Sequence, residues 1–171
     1  LNEICQLFTS DIGKLDGVNV IFVRLDEDEQ KQLKTESSQR IIPIHNQLIN
    51  IGLLRYAEKI KLQGHNRLFP DMPQSAQGSY SDNFSKWFSR FLKSVDIRDN
   101  GACFHSFRHT FRDAIRNALI PREIAAALGG WKISEDVMDE YGEGHKIDLL
   151  DEYMQTINYG SVCSQLSKLY I

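Results

Sequence analysis

The stretch 103–117, CFHSFRHTFRDAIRN, sets His105, Arg108, His109, Arg112 and Arg116 among three phenylalanines. On a helix, at about 100° per residue, Phe104, Phe107, Phe111, Ile115 and Leu119 share one stripe. His105, Arg108, Arg112 and Arg116 form a second stripe about a quarter-turn away. The apolar stripe would anchor the helix and hold the basic stripe at a fixed angle. His105 and Arg108, one turn apart, can reach one group. A guanidinium offers a rigid fork of donors that fits a phosphate, and an imidazole adds a donor that titrates near neutral pH. The pair therefore suits an anion with several oxygens. The same stripe also describes an amphipathic helix with a solvated basic rim. Cys103, His105 and His109 supply metal-ligand atoms, but their spacing is awkward and no second ligand pair has zinc-type spacing, so no metal is expected.

These residues need elements to position them. "VNVIFVRL" (18–25) reads as a strand, "DEDEQ" (26–30) as a turn, "QKQLKT" (30–35) as a weaker strand and "RIIPIH" (40–45) as a third. Together they form a small antiparallel sheet, with "TESSQ" at the tip of a hairpin and Pro43 at an edge or strand end. "LNEICQLFTSDI" reads as a helix with Ile4, Leu7 and Phe8 on one face. A second helix follows Asn46 as N-cap, and 64–80 is a loop. A third helix begins at Ser81, with Phe84, Trp87, Phe88, Phe91 and Val95 on one face. "PREIAAAL" follows Pro121 and stops at Gly129-Gly130. Ser134 caps a short helix ending near Gly142, and 145–157 forms the last one. The expected class is α+β, mainly α: one helical domain spanning 1–171 with a three-stranded antiparallel sheet near its N-terminus.

The chain has 171 residues and a formal net charge of −3, which disfavours nucleic acid only weakly, because the charge is segregated. From Phe84 to Arg122 there are eight Lys or Arg and three Asp or Glu; from Glu123 to Gln155, two and nine. No apolar run approaches a membrane span. The three cysteines, Cys5, Cys103 and Cys163, are odd in number and widely spaced. They read as free thiols of a reducing compartment, hence a cytoplasm.

"HSFRHTFRDAIRNALIPREIAAALGGWKISEDVMDEYGEG" resembles the catalytic core of the tyrosine recombinases, the phage-integrase family. That family shows a His-x-x-Arg pair followed by His-Thr-Phe, then Leu-Gly-x-His/Trp, then a tyrosine nine or ten residues later. Here these are His105 and Arg108, His109-Thr110-Phe111, Leu128-Gly129-Gly130-Trp131, and Tyr141. Upstream, the family places a lysine on a β-hairpin before an R-x-x-P segment, and Lys34 before "TESSQRIIPIH" fits that place. Trp131 stands where many members have histidine. A further family arginine precedes x-x-E-I by three residues, so it would fall just before Leu1. The resemblance thus reads the chain as a fragment without that arginine and without the family's N-terminal DNA-clamping domain.

The resemblance implies metal-free and cofactor-free cleavage of DNA in a bacterial or phage-infected cell. Tyr141 would attack the scissile phosphate and form a 3′-phosphotyrosyl link. Arg108 would clamp phosphoryl oxygens, His105 would orient the phosphate or assist proton transfer, and Lys34 would protonate the 5′ leaving oxygen. Trp131 would donate through its indole N–H. Lys86, Arg90, Lys93, Arg112 and Arg116 would track phosphates of double-stranded DNA. Other protomers would join on DNA, and the stripe Ile147, Leu150, Met154 and Ile157 would dock on its own domain or exchange between protomers. Tyr153 and Tyr159 lie too far past Trp131 to be the nucleophile. A one-tyrosine relaxing topoisomerase and a non-catalytic DNA-binding module of the same fold are the alternatives.

Overall fold

The computed structural model describes residues 1–25, 31, 33, 38–97, 101–131 and 144–166, with the backbone alone at 163, 164 and 166. It shows a mainly helical α+β fold with a three-stranded antiparallel sheet near the N-terminus, strand order β1-β2-β3. The strands are β1 (Ile12–Leu15), β2 (Val18–Val23) and β3 (Arg40–Pro43). β1 lies inside and beyond the stretch expected to be helical. Its cause is the Asp16-Gly17 turn, where both residues take positive φ, 49° and 88°. That is the two-residue hairpin geometry that Asp-Gly favours, and it pairs Leu15 with Val18. The expected 30–35 strand is not a strand at Lys31 or Leu33, and the rest of it lies outside the described residues. Pro43 ends β3, an edge strand, where its missing N–H costs no ladder bond.

The N-terminal helix is also shorter than expected. α1 (Asn2–Cys5) gives way to a 3-10 turn, Thr9–Asp11, and Ile4 is exposed. The chain there pairs with the loop that precedes the Ser81 helix: Thr9 N donates to Asn66 O at 2.7 Å, and Leu68 N to Leu7 O at 2.8 Å. Asp11, fully buried, accepts from the Phe8 N–H, from Arg24 and from Lys31. The helix expected after Asn46 starts one residue earlier, with His45 as N-cap accepting from Gln47 N–H. It divides at Gly52 (φ 106°) into α2 (Asn46–Asn50) and α3 (Leu53–Leu62).

α4 (Ser81–Ser94) starts where expected, and Asn2 Oδ1 accepts from the N–H groups of Tyr80 and Ser81, so α1 caps α4. The remaining helices are α5 (Ser106–Asn117), α6 (Arg122–Gly129), α7 (Ile147–Thr156) and α8 (Ser161–Leu166). α6 and α7 pack on one face of the sheet. The main core joins Val20 of β2 to Ala114 and Ile115 of α5, Ile124 and Leu128 of α6, and the α7 stripe. That stripe, Ile147, Leu150, Met154 and Ile157, is at most 7% exposed, so it docks on its own domain. A smaller core of Leu7, Ala57 and Leu68 takes Ile21 from the opposite face of β2, as strand alternation requires. Among the described residues, no helix is long and apolar enough to cross a membrane.

Candidate functional site

The site is organised by the end of α6. Gly129 is its last residue and Gly130 its C-cap, in the left-handed conformation (φ 61°, ψ 45°) that glycine adopts without a Cβ penalty. This turn brings three side chains from distant elements onto two successive glycines. Arg108 of α5 donates through Nη1 to the Gly129 carbonyl at 3.3 Å. The Trp131 ring folds back over Gly129, where a Cβ would lie 2.6 Å from ring carbons. The Arg40 guanidinium, from β3, lies against Gly130, where a Cβ would come within 2.9 Å of Cζ. Neither glycine can carry a side chain without moving its neighbour.

Trp131 is fixed by its backbone N–H, which donates to Ala126 O at 3.0 Å, and by its ring against Phe111 at 6.0 Å. Two guanidinium groups lie over that ring, Arg108 at 5.0 Å and Arg112 at 5.6 Å. The indole face is negative and attracts both. Arg108 is half-buried, and burial is the main cause of its pKa falling below the ordinary arginine value. Arg40 and Arg112 push it the same way, and Glu3 opposes them. Among the described residues, three guanidinium groups thus share one region with one carboxylate, an arrangement that suits an anion. Beside it, a groove of about 340 Å³ between α5 and α6 carries Arg112, Arg116, Arg122 and Trp131 over a floor of Ile115 and Ile120.

His105 is the N-cap residue of α5, one turn from Arg108, whose N–H donates to the His105 carbonyl at 2.9 Å. Its ring is exposed and lies edge-on to His109 at 5.9 Å. His105 and Arg108 therefore sit on the same end of α5. Lys34 and Tyr141 lie outside the described residues. Lys86, Arg90 and Lys93 are exposed on α4, and Arg112 and Arg116 are exposed on α5, where Arg116 pairs with Asp113 at 3.1 Å. The apolar stripe of α5 is less uniform than its periodicity implies. Ile115 is buried, but Phe107 is 57% exposed, and Leu119 lies past the helix end (φ 53°) and is 87% exposed. Phe104 and Phe107 instead join Phe84, Trp87, Phe88 and Phe91 in one aromatic layer between α4 and α5, and no residue of α4 is buried.

Arg40 and Glu3 are the site residues that motif spacing did not single out. Their pairing spans 37 positions, and in the sequence each belongs only to a pattern flanking the motif. Among the described residues, no group of three His, Cys, Asp or Glu could hold a metal ion. Cys103 is exposed; Cys5 is buried, which raises its thiol pKa. No family model, curated protein or solved structure matches this chain.

Proposed function

We propose that this chain is the catalytic domain of a tyrosine site-specific recombinase of the integrase type. The observation that carries the reading is the Gly129-Gly130-Trp131 turn. Residues of two motif elements, Arg108 and Trp131, meet there with an excess of positive charge. A phosphodiester anion is the ligand this chemistry fits, through charge-assisted hydrogen bonds from guanidinium donors. In the proposed reaction the Tyr141 Oη attacks phosphorus, the bond from phosphorus to the 5′ oxygen breaks, and a 3′-phosphotyrosyl ester remains. The departing 5′ oxygen takes a proton from Lys34. The phenolic proton leaves through His105 or water. Arg108 stabilises the charge that grows on the non-bridging oxygens. Attack by a 5′ hydroxyl of another strand reverses the steps, so the bond is conserved without ATP. Lys86, Arg90, Lys93, Arg112 and Arg116 supply sequence-independent contacts to double-stranded DNA.

A nicked DNA substrate that traps the covalent adduct tests this. The full-length protein should form the adduct, and Tyr141→Phe should abolish it with DNA binding nearly intact. Adduct formation by the Phe variant would overturn the assignment of the nucleophile. A full-length protein that binds DNA and forms no adduct would favour a non-catalytic DNA-binding module. Relaxation of supercoils without strand transfer between two sites would favour a topoisomerase.

A further inference from the structure

Arg40 is held more tightly than a surface strand residue needs to be. Its Nη2 donates to Glu3 Oε2 at 2.8 Å and its Nη1 to Glu3 Oε1 at 3.3 Å, a two-pronged pair between β3 and α1. Nη1 also donates to the Ser38 carbonyl at 2.8 Å. Its Nε is buried with no hydrogen-bond partner among the described residues. A buried donor left unpaired is costly, and the side chain is only 17% exposed. Gly130 admits this packing, since any side chain there would strike the guanidinium. The result places a charge on one glycine of the turn while Arg108 is tied to the carbonyl of the other. Like charges brought together disfavour one another unless an anion joins them. Arg40 acts on Arg108 in this sense, and Glu3 acts against it.

We propose that Arg40 is a positioning residue of the phosphate site. Seated by Gly130 and Glu3, it raises the positive potential at Arg108, and Glu3 sets how much of that charge the site feels. Arg40 need not touch the phosphate; it acts through Arg108. The inference rests on the reading of the Arg108 and Trp131 cluster as a phosphate site.

The test uses inorganic phosphate as probe, with no DNA, titrated against this chain while the Trp131 indole N–H resonance is followed. Arg40→Gln should weaken phosphate binding about threefold, Glu3→Gln should tighten it about threefold, and the double variant should return close to the unaltered chain. A purely structural pair would show no such opposite signs, because losing either partner would loosen the same contact. Both single variants weakening the binding, or neither changing it, would overturn the inference and leave the phosphate site standing. If the unaltered chain shows no saturable response at Trp131, the phosphate reading falls, and the inference with it. Should Arg40→Gln fail to fold, Arg40→Lys decides together with Glu3→Gln. Lysine keeps the charge and should hold the affinity within about twofold; a loss beyond that overturns the role given to charge.

Discussion

Two of the places where a cation lies over an aromatic ring, at Phe8 and at Trp131, are built to opposite ends. In the first, Lys31 lies 4.6 Å from the centre of the Phe8 ring and 2.5 Å from Asp11. Both charged side chains are almost wholly buried, and the same carboxylate accepts from Arg24 and from the Phe8 N–H. In the second, Arg108 and Arg112 lie over Trp131, and the one nearby carboxylate among the described residues, Glu3, is engaged by Arg40. The first cluster matches its charges in the interior and ties the 3-10 turn to the segment after β2. The second, among the described residues, leaves positive charge in excess at a partly exposed surface. A buried cation must be compensated for the fold to stand, whereas an uncompensated one at a surface stores affinity for an anion from outside. Lys31 is therefore a structural lysine.

The largest effect expected from this contrast is on stability. Asp11→Ala leaves Lys31 as a buried charge without its carboxylate, and the Phe8 N–H without an acceptor. A loss of about 3–5 kcal/mol is expected in denaturant unfolding, with phosphate response at Trp131 retained in the fraction that stays folded. A variant as stable as the unaltered chain would show that the first cluster is not structural. Next comes Arg108→Lys. It should leave stability within about 1 kcal/mol, because Arg108 is half-buried and its partner among the described residues is an uncharged carbonyl. Its cost should fall on covalent adduct formation, slower by about 10² to 10³, because a lysine cannot hold two oxygens in a fork. Equal adduct rates would remove Arg108 from the reaction. The smallest effect on the contrast is expected from Gly129→Ala. The new methyl meets the Trp131 ring, which is pinned by Phe111 and cannot swing away freely. A loss of about 1–3 kcal/mol is expected in thermal or denaturant unfolding, with a shifted Trp131 indole signal and weaker phosphate binding. If Trp131 keeps its signal, the ring does not depend on the bare backbone beneath it.

Much of this architecture was legible in the chain of residues. The helical periodicity of 104–117, the Pro121 start and the Gly129-Gly130 stop of α6, and the apolar stripe of α7 all follow from local rules. Each depends on neighbours within one or two turns, or on a backbone conformation that glycine and proline set for themselves. The Asp16-Gly17 hairpin was equally local, but the amphipathic pattern before it carried a helix through Ile12, the first residue of β1. The Arg108 and Trp131 pair was placed by motif order. Tertiary structure alone decided the rest. Whether Phe107 or Ile115 of one stripe is buried depends on what packs across from it, and α4 covers the first incompletely while α6 and α7 cover the second. Lys31 and Lys34, three positions apart, look alike as letters; Asp11, twenty positions earlier, makes Lys31 structural. Arg40 enters the site because Glu3, 37 positions away, holds its fork and because Gly130 leaves it room. Local pattern determines which face an element shows, but charge and space are settled by whichever distant side chains share the same volume, and that partner has no periodic signature.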